Sequence, residues 1–165
     1  MTRDRFSRAG MRGFTLIEML VTLSVMALLA TVAFPLTELA SQRERELELR
    51  GALRTIRAAI DAYKRDTDTG KVAKSADQSG YPPTLNALVE GVDDTSDLTG
   101  QRKIYFLRRL PRDPMCRCPD EPPDKTWALR SYASPPDDPE AGDDVFDIAS
   151  KSDQEALDGT HYKNW

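Results

Sequence analysis

From Phe14 to Phe34 the chain runs 21 residues with a single charge, Glu18. Wound as an α-helix at about 1.5 Å per residue, that run is roughly 32 Å long, the thickness of a bilayer's hydrocarbon core. The 13 residues ahead of it carry Arg3, Arg5, Arg8 and Arg12 against Asp4 alone, a net charge of +3. A cationic flank stays in the cytoplasm, so the rest of the chain is expected on the far side of the membrane. A cleaved secretory signal has an apolar core of only about 7–15 residues and a small-residue cleavage site. Here the run is longer and leaves through V-A-F-P-L-T-E-L, which offers no such site before further helix begins. The sequence therefore predicts a leader over 1–13, a transmembrane helix over 14–36, and a head over 37–165.

Composition then narrows the function of that head. The whole chain has 23 basic and 27 acidic residues, for a net charge of −4, which argues against a general nucleic-acid binder. One histidine, His161, and two cysteines argue against a multi-ligand zinc site or a histidine-based triad. No phosphate-binding loop, dinucleotide fingerprint, nucleophile elbow or zinc-helix motif is present, so nothing in the sequence points to catalysis.

Glu18 is the residue in the apolar run that requires a reason, because a carboxylate inside a membrane helix costs a few kcal/mol unless it finds a partner. One reading has it snorkel to the cytoplasmic headgroups. Its neighbours supply another. The segment Gly13-Phe14-Thr15-Leu16-Ile17-Glu18, after a short basic leader and ahead of an apolar helix, resembles the cleavage and methylation signature of type IV pilins and of type II secretion pseudopilins. The resemblance implies that a membrane prepilin peptidase cuts between Gly13 and Phe14 and methylates the new amino group of Phe14. It also implies that Glu18 neutralises the Phe14 amino group of a neighbouring subunit when helices bundle in a filament. Removing the +3 leader would take the net charge from −4 to −7.

Pro35 falls inside the helical pattern and is expected to kink the helix without ending it, as it does in the family that the leader resembles. Beyond it Leu49, Leu53, Ile56, Ile60 and Tyr63 recur at spacings of 4, 3, 4 and 3, one apolar stripe on a helix. The opposite face is charged, with Arg43, Arg45, Arg50, Arg54 and Arg57 expected on its exposed side and Glu46–Arg50 as an i, i+4 pair. The stripe lasts about two heptads, too short for a coiled coil and suited to packing against the chain's own head. The helix is expected to end near Thr67 to Gly70. Residues 71–80 read as a loop, 81–90 as an extended entry, a cap at Thr84 and a short helix, and 92–100 as another loop. The apolar segment Ile104 to Pro114 resembles the stretch of G-type pseudopilins in which a short apolar helix or strand leads into an L-P-x-D-P turn, here at 110–114. T-W-A-L-R-S-Y-A and D-V-F-D-I-A-S alternate as strands do, joined by the proline- and aspartate-rich segment between them. The predicted fold is α+β and type IV pilin-like, a long kinked N-terminal helix packed on a small antiparallel sheet of two to four strands.

Residues 113–165 hold 13 acidic and 5 basic side chains. Calcium takes six to eight oxygens from carboxylates and carbonyls in irregular loops, and this segment could supply them. G-type pseudopilins bind calcium in a loop after the last strand, and S-K-S-D…L-D-G-T…W looks like that loop. The resemblance implies calcium ligands at Asp153 and Asp158, with Ser150 and the Leu157 carbonyl as weaker candidates. An acidic, solvated loop with no ion is the competing reading. Cys116 and Cys118, with Arg117 alone between them, form either a small local disulfide or two free or intermolecular thiols; a metal or redox role is the third option.

The functional reading is a G-type pseudopilin: a structural, non-enzymatic subunit of the inner membrane with its C-terminal domain in the periplasm. It would polymerise with other pseudopilin subunits into a pseudopilus that drives protein export. Its expected partners are the prepilin peptidase, further subunits and the inner-membrane secretion platform. Two alternatives remain: a type IV pilin subunit for adhesion, motility or DNA uptake, and a membrane-anchored periplasmic binding module that never polymerises.

Overall fold

The stripe at 49, 53, 56, 60 and 63 becomes the buried face of one long helix. The computed structural model describes residues 13–165, with the side chains of 32–36 left out of that description. Helix α1 spans Leu16–Asp68. The leader expected over 1–13 lies outside the described residues apart from Gly13, and so does the ring of Pro35, where a kink is expected; the backbone is helical at that position. Chain contacts divide the protein after Ser41, and the second unit, Gln42–Trp165, forms the head.

In the head, Leu49, Leu53, Ile56, Ile60 and Tyr63 are all nearly inaccessible, and Ala52 and Ala59 bring the neighbouring chain close. The stripe continues in both directions with polar residues, Glu46 at one end and Thr67 at the other, each also buried. The Thr67 hydroxyl donates to the Tyr63 carbonyl at 3.0 Å, which satisfies it within the helix. After α1 the backbone turns at Gly70, where φ is +77°, a conformation that suits glycine.

Helix α2 is a single turn, Ala87–Glu90, with Leu88 fully buried. Thr84 serves its entry as expected: its hydroxyl accepts the Ala87 N–H at 3.3 Å. Strand β1, Val92–Asp93, pairs antiparallel with β2, Lys103–Ile104. The loop expected over 92–100 thus begins with two paired residues. Such a short ladder leaves no alternation to read in the sequence. Strand β3, Trp127–Arg130, pairs antiparallel with β4, Asp147–Ser150, in the register Trp127 to Ser150 and Arg130 to Asp147. The sheet of two to four strands resolves into two separate two-stranded ladders. Trp127, Val145 and Ile148 join the α1 stripe, Leu85, Leu88, Leu107, Met115 and Tyr162 in one core.

The L-P-x-D-P turn ties this core together through polar groups. Asp113 is buried, accepts the Met115 N–H at 2.8 Å and receives the Ser150 hydroxyl at 2.6 Å. The Trp127 indole N–H donates to the Pro111 carbonyl at 2.9 Å. Each buried polar group here has its partner, as close packing requires.

Candidate functional site

The first turn of α1 explains part of the motif in purely local terms. Thr15 precedes the helix, and its hydroxyl accepts the Glu18 N–H at 3.3 Å. Thr-x-x-Glu is the pattern of a capping box, and a carboxylate in the first turn is favoured by the partial positive charge of a helix N-terminus. Glu18 therefore starts the helix as well as standing available for a partner. A Cβ built on Gly13 would meet nothing within 4 Å, so the peptide bond that follows it is open to approach. Phe14 is 74% exposed. The eleven large apolar side chains from Phe14 to Leu29 are all at least half exposed. Among the described residues no helix is long and apolar enough to cross a membrane. The described apolar side chains stop at Thr31, ahead of the five positions on which the expected span also drew.

In the head, the C-terminal segment is fastened onto α1. Residues 154–162 fold back on themselves: the Tyr162 N–H donates to the Gln154 carbonyl at 3.2 Å, Glu155 bridges to His161, and the Ala156 N–H donates to the Thr160 carbonyl at 2.7 Å. Gly159, with φ at +83°, makes the reversal possible. The buried Glu46 carboxylate receives the Tyr162 hydroxyl at 2.9 Å and the Leu157 N–H at 2.8 Å, while Gln42 donates to the Tyr162 oxygen at 3.0 Å. Burial, foremost, pushes the Tyr162 hydroxyl above its usual range. The expected Glu46–Arg50 pair does not form the contact read from spacing. Glu46 faces inward, and Arg50 instead meets Asp158 at 3.1 Å and lies 4.2 Å over the Trp165 ring. Arg57 is likewise engaged: it reaches the Asp147 carboxylate at 2.7 Å and the carbonyls of Ile148 and Trp165 at 2.8 and 2.7 Å. Arg50 and Arg57 are thus engaged by the head, although Arg50 stays exposed as expected.

Sequence reading missed Glu46, Gln42 and Tyr162. The signal lay in the spacing, since Glu46 stands three residues before Leu49 and continues the stripe.

The four residues expected to ligate calcium are not brought together. Ser150 is 1% exposed and spends its hydroxyl on Asp113. Asp153 sits at the open end of the C-terminal hairpin, 2.6 Å from the Lys163 ammonium. Asp158 sits at the turn, held by Arg50, the Thr160 N–H at 3.1 Å and the Thr160 hydroxyl at 2.6 Å. Leu157, expected to ligate through its carbonyl, adjoins Asp158 at the turn and donates its N–H to Glu46 at 2.8 Å. Among the described residues no three Asp, Glu, His or Cys side chains gather closely enough to hold a metal ion. Cys116 and Cys118 are joined in a disulfide.

Residues 8–34 match the prokaryotic N-terminal methylation motif. Over 105 residues, 62% of this chain, the protein is 30% identical to the type II secretion system core protein G of Pseudomonas aeruginosa. The matched stretch spans 66% of that relative's length, just under two thirds. No solved structure matches the chain.

Proposed function

We infer that this chain belongs with the pseudopilins of type II secretion and acts as a structural subunit that assembles through its N-terminal helix. The observation that carries the reading is a coincidence of position. The methylation motif covers the stretch in which eleven large apolar side chains stand exposed. At about 1.5–3 kcal/mol per fully buried side chain, and with roughly a third of this surface already covered, covering the rest is worth on the order of 10–20 kcal/mol. A chain does not leave so much apolar surface in water; a bilayer before assembly and neighbouring helices after it would both cover it.

In this reading the peptidase cuts after Gly13, where the missing side chain lets it approach the backbone, and methylates Phe14. The helix over 14–36 anchors the chain in the inner membrane and holds the head in the periplasm. Assembly with further subunits on the inner-membrane secretion platform buries Glu18 beside the Phe14 amino group of a neighbour, an opposite charge at the depth where a lone carboxylate is costly. The head needs no catalytic group for this role. Most of its apolar residues are spent on its core, and those left exposed, such as Leu47, Leu98 and Tyr132, are scattered, whereas the N-terminal stretch is continuous.

Glu18→Ala tests the assignment. The capping hydroxyl of Thr15 and the apolar stretch remain, so the variant is expected to be processed and retained in the membrane but to lose filaments in a shearing and immunoblot assay. Filaments at the parental level would refute a neutralising role for Glu18.

A further inference from the structure

We propose that this chain closes its C-terminal hairpin with its own cations, Lys163 at the open end and Arg50 at the turn, and that the head requires no calcium there. The inference goes beyond the assembly reading, because it concerns how the head is held together and not how subunits join.

The argument is one of geometry and charge. A calcium ion gathers six to eight oxygens about one point, at 2.3–2.6 Å. The hairpin pairing of Gln154 with Tyr162 and of Ala156 with Thr160 sets Asp153 and Asp158 apart. Three extended residues, roughly 10 Å of chain, separate Asp153 from the turn at Ala156. Each carboxylate then has a cation of its own. Lys163 contacts Asp153 at 2.6 Å, with the His161 ring 4.0 Å from the same oxygen. Arg50 contacts Asp158 at 3.1 Å. Two side-chain charges thus stand where one divalent ion would have to bring the same charge to a single point.

The Ser150 hydroxyl is committed as well. Ser150 is buried against Asp113, and moving it to an ion would strand a buried carboxylate. At the turn the contacts form a closed circuit. The Thr160 hydroxyl donates to Asp158 and accepts the Trp165 indole N–H at 2.7 Å, while Arg50 covers the Trp165 ring and grips Asp158. Gathering Asp158 toward an ion would break this circuit along with the salt bridge. Arg50 lies on α1, so the same cation that neutralises the turn also fastens it to the helix.

The test uses the full chain in detergent micelles, followed by the fluorescence of Trp127 and Trp165 during heating, in millimolar calcium chloride and in excess EGTA. The account predicts melting midpoints that agree within about 1 °C. A calcium site filled at a hundredfold excess over its dissociation constant would raise the midpoint by on the order of 10 °C. Lys163→Met is expected to lower the midpoint in both buffers. Asp153→Asn added to Lys163→Met is expected to cost little more, because the two act as one pair. A calcium-dependent rise of several degrees that disappears in Asp153→Asn or Asp158→Asn would overturn the proposal. So would a Lys163→Met variant as stable as the parent whose Asp153→Asn derivative loses stability in full.

Discussion

Glu46→Ala is the substitution that bears most directly on how the head holds its C-terminal segment. Glu46 is 8% exposed, and its carboxylate accepts the Tyr162 hydroxyl at 2.9 Å and the Leu157 N–H at 2.8 Å. Truncation leaves both donors without an acceptor. The two differ in consequence: Leu157 is 42% exposed, so its amide can recruit water, whereas Tyr162 is 1% exposed and its hydroxyl cannot. A buried donor left unpaired costs about 1–3 kcal/mol, and the partly wet amide adds less, so the expected loss is about 2–4 kcal/mol. For a head of this size that corresponds to a fall in melting midpoint of roughly 6–15 °C. Glu46→Gln keeps the shape and one acceptor oxygen and is expected to lose no more than about half as much. Tryptophan fluorescence of the full chain in detergent reads both, since both tryptophans lie in the head. Because Tyr162 and Glu46 share one contact, Tyr162→Phe in the Glu46→Ala background is expected to cost less than in the parent. A Glu46→Ala midpoint within about 1 °C of the parent would refute the reasoning.

Two further outcomes follow from the chain on either side of β1. Asp97 accepts N–H groups from Thr99, Arg102 and Gln101 and the hydroxyl of Thr99, led by the Thr99 N–H, and these hold its carboxyl down to about 2, against an ordinary value of 3.8. A lowered value means the contribution is complete above about pH 5 and is lost as pH falls through 3.8 toward 2, so denaturant midpoints of the parent and Asp97→Asn should converge over that interval and differ by a constant amount above it. Gly91 has φ at +79°, and a Cβ there would lie 2.7 Å from the Tyr105 ring, so Gly91→Ala is expected to lower the melting midpoint even though Tyr105 is exposed.

The parts of the fold that were legible in the sequence are those with a short-range period. The stripe from Leu49 to Tyr63 repeats with the helix, and each member is buried. Trp127–Arg130 and Asp147–Ser150 alternate, and they pair as strands. Val92–Asp93 and Lys103–Ile104 are too short to carry a period. Glu46 was misread for a different reason. Charge suggests a solvated face, yet its position continues the stripe, and position prevailed because a tyrosine hydroxyl 116 residues away satisfies it. The acidic positions after β4 show the opposite limit. The resemblance to a loop of G-type pseudopilins brought Asp153 and Asp158 forward together, and the pairing of Gln154 with Tyr162 places one at the open end of a hairpin and the other at its turn. Arg50 reaches Asp158 across 108 positions, a relation that no local pattern contains. At the N-terminus the motif was readable in full, and the structure adds that Glu18 stands in the first turn behind a Thr15 cap.

The central claim, that this chain is processed as a pseudopilin and assembles through the helix that follows Gly13, is tested most directly by the intact mass of the protein purified from membranes of a host that carries a prepilin peptidase. The account predicts a chain that begins at Phe14 and carries one methyl group on its amino nitrogen, together with accumulation of the uncut form in Gly13→Val. A mature chain that begins at Met1, or one cut beyond the apolar stretch, would contradict it.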